Sequence, residues 1–89
     1  MPPQPAVPEI LSGPQTDPLG QPSVTVLLKR HGGESYLLTV NATAEPVTAK
    51  LAVPGAKKVE VLYENRTCTA EGDHITDTFL PFAVHIYRY

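Results

Sequence analysis

Apolar and polar side chains alternate along much of the second half of the chain. Val47, Ala49, Leu51 and Val53 are separated by single residues that are mostly polar. The same period of two returns in residues 58–64, where apolar residues alternate with charged ones. A period of two places successive side chains on opposite faces of a β-strand. The pattern therefore predicts strands with one covered and one solvated face.

Short turn sequences divide the chain from residue 24 onward. Gly32-Gly33 can adopt the positive φ angles of a tight hairpin turn, and Pro54-Gly55 is a second turn signal. Strands separated by such turns, at a spacing of roughly 8–12 residues, are typical of an antiparallel sandwich. The sequence predicts an all-β fold, a small antiparallel β-sandwich of about seven strands of the Ig-like or Greek-key type, with residues 24–28 and 35–40 in central strands. The predicted strands are 24–30, 35–42, 47–53, 58–64, 67–70, 74–79 and 82–89.

Residues 1–23 differ in composition from the rest of the chain. They contain seven of the ten prolines, only two charged residues, Glu9 and Asp17, and no apolar period. A segment of this kind buries too little apolar surface to offset the entropy that it loses on ordering. We therefore interpret residues 1–23 as a Pro-rich linker, largely extended or disordered, and residues 24–89 as the sandwich domain.

The charge balance excludes some classes of partner. From residue 24 onward the chain carries seven basic and seven acidic side chains, whereas a nucleic-acid-binding surface needs a basic stripe. No apolar run approaches the roughly 20 residues of a membrane-spanning helix, so no membrane partner is predicted.

The single cysteine, Cys68, alternates with two threonines and is interpreted as a core-facing strand residue. The isolated domain is expected to be a monomer.

The closing stretch TDTFLPFAVHIYRY holds the candidates for chemistry. Asp77 shares a predicted strand face with Ile75 and Phe79, and a buried carboxylate needs hydrogen-bond partners. One hypothesis makes Asp77 a general acid with a raised pKa, partnered by His85 or His74. The favoured hypothesis makes Asp77 an acceptor for turn amides or a hydroxyl, which fixes the corner between the last two strands.

Other candidate sites have weaker patterns. The three histidines lack the spacing of a metal site, and the chain has no nucleophile motif or phosphate-binding loop, so no metal and no cofactor are expected. Tyr36, Tyr63 and Tyr89 are candidate carbohydrate contacts, provided that their rings share one exposed surface. Two N-x-T sequences, at Asn41 and Asn65, fall at strand ends or turns, where asparagine also serves as a hydrogen-bonding residue.

Three motifs together resemble one kind of domain. The chain has a tyrosine followed by Asn-Ala on an early strand, V-x-V-L-x-E-x-R at 59–66, and D-x-F-x-P-x-A-V-H-x-Y at 77–87. In this combination the chain resembles the C-terminal β-sandwich domains attached to TIM-barrel glycoside hydrolases of bacteria. The matching residues are Tyr36, Asn41, Ala42, Val59, Val61, Leu62, Glu64, Arg66, Asp77, Phe79, Pro81, Ala83, Val84, His85 and Tyr87.

The resemblance implies a non-catalytic accessory domain. Its partner would be the catalytic TIM-barrel domain of the same polypeptide, a glycoside hydrolase whose location, secreted, periplasmic or otherwise, is left open. Asp77, Pro81, His85 and Tyr87 would form a structural corner, and this chain itself would not be an enzyme. Two alternatives stay open: an independent module that binds a polysaccharide, and an Ig-like or fibronectin-like spacer.

Overall fold

The computed structural model describes residues 7–89, and within this range the chain forms strands and turns without a helix. The all-β prediction and the two-sheet sandwich are confirmed, with eight strands where about seven were predicted. The strands are β1 (Glu9–Ser12), β2 (Val24–His31), β3 (Glu34–Asn41), β4 (Val47–Ala52), β5 (Lys58–Val61), β6 (Arg66–Thr69), β7 (His74–Phe79) and β8 (Val84–Arg88).

The eight strands form two antiparallel sheets. One has three strands in the order β1-β4-β7, and the other has five in the order β2-β3-β8-β5-β6. Only β2–β3 and β5–β6 are hairpins of consecutive strands, while the other connections carry the chain from one sheet to the other. Strand β8 therefore lies in the middle of the five-stranded sheet, whereas β7, the strand before it in the chain, lies in the three-stranded sheet.

Side chains from both sheets form one apolar core between them. Val47, Ala49, Leu51 and Val53 are only 0–1% exposed, which confirms the alternation predicted for this segment. Every strand from β2 to β8 except β6 contributes a buried apolar residue, and β6 packs Cys68 against the same core. The other buried apolar residues are Val24, Leu37, Val59, Val61, Ile75, Phe79 and Tyr87.

Residues 9–12 lie in the segment predicted as a linker, yet they form the edge strand β1. β1 pairs antiparallel with β4, with a register shift between Ile10 and Ser12, and Ile10 packs against the core. The sandwich therefore begins before residue 24. Four residues with adjacent apolar side chains have no readable period, and the main-chain bonds to β4 depend on tertiary context. The part of the predicted linker at residues 1–6 lies outside the described residues.

The loop between β1 and β2 is held by its own hydrogen bonds. Asp17 Oδ1 accepts from the backbone N–H groups of Leu19 and Gln21, each at 2.9 Å. Closer to β2, the N–H of Ser23 donates to the carbonyl of Gln15 at 3.2 Å. A proline-rich composition can thus belong to a loop that returns on itself as well as to a linker.

Gly13, which follows β1, allows the docking of this segment to be tested. Its φ is +97°, and a Cβ built on it would lie 2.4 Å from the carbonyl oxygen of Pro46 and 3.1 Å from Val47 Cα. We expect Gly13→Ala to lower the free energy of unfolding by about 2–3 kcal/mol, because the clash moves β1 away from β4. Urea denaturation followed by circular dichroism measures the loss.

Gly20→Ala is the matched control for that substitution. Gly20 has a similar positive φ of +82°, but its Cβ position is open space. The control variant has the backbone strain without the clash and should lose only about 1 kcal/mol. Equal losses in the two variants would show that docked β1 adds nothing to stability.

The sequence predicts both β2 and β3 as central strands, and this is right for β3 only. β3 lies between β2 and β8, whereas β2 is an edge of the five-stranded sheet. Val24 of β2 is buried, but Leu27 on its other face is 52% exposed. An apolar run on both faces is typical of a strand covered on both sides. Here the outer side of the sheet has no cover among the described residues.

Candidate functional site

Strand β8 divides its side chains between two surfaces. His85 and Tyr87 point toward the core and are 8% and 0% exposed, while Val84 and Ile86 lie on the opposite face. Two candidate sites result from this division. One is a polar cluster between the sheets, and the other is an apolar surface outside the five-stranded sheet.

Asp77 is the centre of the polar cluster between the sheets. Arg66 donates two hydrogen bonds to it, from Nη2 to Oδ2 at 2.8 Å and from Nη1 to Oδ1 at 3.2 Å. The Tyr87 hydroxyl donates to Oδ2 at 2.6 Å, and the N–H of Thr78 donates to Oδ1 at 2.9 Å. This carboxylate on β7 therefore joins the three-stranded sheet to β6 and β8 of the other sheet. We call Glu64, Arg66, Asp77, His85 and Tyr87 the inter-sheet cluster.

His85 contacts both carboxylates of the inter-sheet cluster. Its Nδ1 lies 3.1 Å from Asp77 Oδ2 and 2.9 Å from the Tyr87 hydroxyl, and its Nε2 lies 3.7 Å from Glu64 Oε2. An ionised carboxylate can only accept, and the Tyr87 hydroxyl already donates to Asp77, so Nδ1 of His85 carries a hydrogen and donates. The ring stacks on Phe79 with 4.4 Å between centroids, which fixes its orientation.

Hydrogen bonds in the cluster keep Asp77 ionised. Burial acts to raise the pKa of Asp77, but the bonds from Arg66, Tyr87 and Thr78 outweigh it and hold the pKa below its ordinary value. The bond to Asp77 raises the pKa of Arg66, and burial followed by the Asp77 bond raises the pKa of Tyr87. This is the opposite of the raised carboxyl pKa that a general acid requires. His74, the other proposed partner, bonds through Nδ1 to the carbonyl of Gly72 at 2.7 Å instead.

Arg66 is the cluster residue whose contact with Asp77 the sequence interpretation missed. That interpretation placed Arg66 in a turn, whereas the structure begins β6 at this residue, opposite Val61. A signal was present, because Arg66 precedes Cys68 by two positions and a core-facing Cys68 implies that Arg66 shares its face. Cys68 itself packs against the core, where burial raises the pKa of its thiol. This shift is opposite in direction to that of an activated cysteine nucleophile.

Pro81 occupies the turn between β7 and β8. The N–H of Ala83 donates to the carbonyl of Leu80 at 2.9 Å, which closes a β-turn with Pro81 second and Phe82 third. Phe82 has φ of +57°, a value that type II turns require at this position and usually obtain from glycine. The fully buried Asn41 donates from Nδ2 to the Leu80 carbonyl at 3.1 Å and so attaches the turn to β3.

The second candidate site is the outer face, meaning the side of the five-stranded sheet that points away from the core. Leu27 lies opposite Leu38, Leu38 lies opposite Ile86, and Val40 lies opposite Val84. Leu27 is 52%, Val40 37% and Val84 57% exposed. These five side chains form a contiguous apolar surface across β2, β3 and β8, which we call the apolar half of the outer face.

The remainder of the outer face is polar, and several of its side chains pair with one another. Arg88 forms ion pairs with Glu60 and Glu34, and the Tyr36 hydroxyl donates to Glu34 Oε2 at 3.0 Å. Lys29 lies opposite Tyr36 at the same end. The outer face therefore has an apolar half at one end of these strands and a polar half at the other end.

Two exposed aromatic residues lie in turns beside the start of β8. Tyr63 is 93% exposed with φ of +65°, and Phe82 is 64% exposed with φ of +57°. The Phe82 turn leads directly into Val84, and the N–H of Leu62 donates to the Ile86 carbonyl. A left-handed backbone is costly for residues other than glycine, and such positions are concentrated at functional sites. Both aromatic residues thus lie at the apolar end of the sheet.

The three tyrosines predicted as candidate carbohydrate contacts lie on different surfaces. Tyr36 lies on the outer face, whereas Tyr89 follows β8 beside Ser35, whose side chain is buried on the opposite face. Tyr63 lies in the turn between β5 and β6. They therefore form no shared row of rings.

No family model, curated protein or solved structure matches this chain. The resemblance to glycoside hydrolase C-terminal domains therefore stays a prediction that the three sequence motifs carry. Among residues 7–89, no three His, Cys, Asp or Glu side chains are grouped so that they could hold a metal ion. The same residues form no helix that is long and apolar enough to cross a membrane.

Proposed function

We propose that this chain is a non-catalytic accessory β-sandwich domain that packs through its outer face against a catalytic domain of the same polypeptide. The sequence resemblance suggests that this catalytic domain is the TIM barrel of a glycoside hydrolase. The observation that carries the proposal is the apolar half of the outer face, where Leu27, Val40 and Val84 are between 37% and 57% exposed.

An uncovered apolar sheet face is unusual for a domain that acts alone. Antiparallel sheets commonly have one face on the core and one polar face in water, and contiguous apolar patches mark interaction sites. Each Å² of apolar surface that a partner covers would contribute about 25 cal/mol of favourable free energy to docking. The neighbouring Tyr63 and Phe82, both exposed in left-handed turns, extend the surface that a partner would cover.

The inter-sheet cluster supports a structural role for the polar residues in the closing stretch of this chain. Asp77 accepts hydrogen bonds from Arg66, Tyr87 and the Thr78 amide, and its side chain is 11% exposed. Every partner bonds the ionised carboxylate, so the cluster joins strands rather than presenting a proton to a substrate. Strand β8 contributes His85 and Tyr87 to this cluster, and it presents Val84 and Ile86 on the outer face, which is the proposed docking surface.

The proposal is tested in the polypeptide that carries this chain together with its catalytic domain. We expect the double substitution Leu27→Asp and Val84→Asp to lower the Tm of the catalytic domain by about 5 °C or more, because two charges would enter a buried interface. Scanning calorimetry measures the shift.

The control is Thr76→Asp, which adds a charge at an exposed position of β7 in the other sheet. In the isolated chain, neither set of substitutions should change the free energy of unfolding by more than about 1 kcal/mol, since all three side chains are exposed there. An unchanged Tm of the catalytic domain with the double variant would contradict docking through the outer face.

An independent carbohydrate-binding module is the second candidate, and one observation favours it. Tyr63 lies beside a groove of about 310 Å³ that Glu60, Asn65, Arg66 and Thr67 also line. An aromatic ring beside hydrogen-bonding side chains is a combination suited to sugars. Under this candidate, millimolar xylan, cellulose or galactan oligomers would shift the NMR resonances of Tyr63 and Asn65. A docking domain or a simple spacer predicts no such shift.

A further inference from the structure

Within residues 7–89, no strand pairs with the outer edge of β2. Strand β2 pairs with β3 through eight consecutive residue pairs without a register shift, and it is the last strand on its side of the sheet. An unpaired edge can accept another strand, and proteins usually protect such edges with prolines, bulges, very short strands or charged side chains, which β2 has only at its C-terminal end. β1, an edge of the other sheet, has four residues and a register shift. β2, by contrast, has eight residues, none of them proline.

The hydrogen bonds of β3 identify which groups of β2 are free. Ser35 exchanges both backbone hydrogen bonds with Tyr89, and the N–H of Asn41 donates to Ala83, so odd-numbered residues of β3 bond toward β8. Even-numbered residues of β3 therefore bond toward β2, because main-chain groups alternate in direction along a strand. Their partners on β2 are Thr25, Leu27, Lys29 and His31.

The main-chain groups of Val24, Val26, Leu28 and Arg30 consequently point to the open edge. Within residues 7–89, no backbone or side-chain group hydrogen-bonds to these four N–H and C=O groups. They are spaced to pair with every second residue of one added strand.

Side chains along the edge differ between its two ends. The N-terminal end borders an apolar groove of about 290 Å³, lined by Val7, Pro8 and Pro22 together with residues 24–27. The C-terminal end carries Lys29, Arg30 and His31, and none of these has an ion-pair partner within 4 Å among the described residues. Lys29 and Arg30 point to opposite faces of the sheet, so one carboxylate on each face would be needed to pair them.

We propose that β2 is an acceptor edge for an extended segment of another protein or domain, apolar in one half and acidic in the other. In the antiparallel orientation that both sheets use, the acidic half precedes the apolar half. Charge complementarity favours this occupant over a second copy of the chain. Pairing of β2 with its own copy about Leu27 would place Thr25 and Val24 opposite Lys29 and Arg30, with no carboxylate at either position.

The first test uses the ¹⁵N-labelled 89-residue chain and the peptide acetyl-TEEVTVTV-amide, with acetyl-TKKVTVTV-amide as the charge-reversed control. At saturating peptide we expect about tenfold slower hydrogen exchange at the amides of Val26, Leu28 and Arg30, with no change at Leu27 and Lys29. This alternation distinguishes strand addition from any binding to the outer face. The lysine peptide should bind at least about tenfold more weakly.

The second test uses two substitutions at one exposed position. Arg30→Pro removes an edge N–H but no bond to β3, and edge strands tolerate proline at such positions. Arg30→Thr removes the charge and keeps the N–H. We expect the affinity for the acidic peptide to fall about threefold with Arg30→Thr and about tenfold or more with Arg30→Pro.

Several results would overturn this assignment. Equal binding of the two peptides would remove the acidic segment as occupant. Protection of the three edge amides in the free chain that grows with chain concentration, together with dimers in sedimentation velocity, would assign the edge to a second copy. Unchanged exchange at saturating concentrations of the acidic peptide would show that the edge accepts no strand, and the peptide experiments decide this even if Arg30→Pro does not fold.

Discussion

Replacing Asp77 by alanine is expected to lower the free energy of unfolding by about 3 kcal/mol. The substitution removes the acceptor of hydrogen bonds from Arg66 and from the Tyr87 hydroxyl. Tyr87 is 0% exposed, so its hydroxyl loses a partner where water cannot replace it. Removing one member of a buried pair typically costs about 3–5 kcal/mol, and the partial exposure of Arg66 places the expectation at the lower end.

The measurement is urea denaturation at pH 7, with Glu71→Ala as the control. Glu71 is an exposed carboxylate in a turn, and its loss should change the free energy of unfolding by less than about 0.5 kcal/mol. If Asp77→Ala were to cost no more than this control, the inter-sheet cluster would not hold the two sheets together.

The same residue determines how stability changes in acid. The folded pKa of Asp77 lies below its unfolded value of about 3.9. Its contribution is therefore fully present above that unfolded value and is lost as the pH falls through the folded pKa. The substitution Asp77→Asn should make the free energy of unfolding depend less steeply on pH below about pH 4. A slope equal to that of the original chain would mean that other carboxylates cause the loss of stability in acid.

Replacing Phe79 by alanine is expected to cost about 4 kcal/mol. Phe79 is 0% exposed at the end of β7 and stacks on His85 at 4.4 Å. Large-to-small substitutions of buried phenylalanine lose its transfer free energy and leave a cavity, at a typical cost of about 3–5 kcal/mol. Because the ring also orients His85, the substitution would loosen the inter-sheet cluster along with the core.

Phe82→Ala is the matched control, three residues further along the chain. Phe82 is 64% exposed in the turn before β8, so it loses little packing when truncated in the isolated chain. We expect a change of less than about 1 kcal/mol, measured by thermal and urea unfolding of both variants. Similar losses at the two positions would mean that Phe79 is not the core residue that the structure describes.

The contribution of Phe82 to stability is expected to differ between the isolated chain and the proposed docked domain. An exposed aromatic side chain in a left-handed turn adds nothing to the isolated fold that glycine or asparagine would not provide with less strain. Beside the apolar half of the outer face, however, Phe82 becomes part of the surface that a partner would cover. Its substitution should therefore matter more in the joined polypeptide than in the isolated chain.

Alternation in β4 was enough to predict which side chains of that strand are buried. Val47, Ala49 and Leu51 are buried because one face of β4 lies on the core, and the period of two depends only on the geometry of a single strand. The turn at Pro81 was likewise readable, since proline fixes its own φ. The inward face shared by Ile75, Asp77 and Phe79 follows from the same rule.

Contacts between distant segments escaped that reasoning. Arg66 and Asp77 meet across the two sheets, and no local pattern pairs a residue of β6 with one of β7. β1 is a strand only because β4 offers it an open edge. Leu27 looks like a buried residue by its neighbours, yet β2 lies at an edge and its outer side chains remain in water.

By itself the sequence determined the all-β class, most of the strands, and the face on which each side chain lies, because these depend on main-chain geometry within a few residues. The tertiary structure decided which strands are edges, which sheet face stays uncovered and which donors surround Asp77. These features depend on the order of strands within each sheet, which is set by the sum of many long-range contacts. Both proposed surfaces, the outer face and the free edge of β2, belong to this second group.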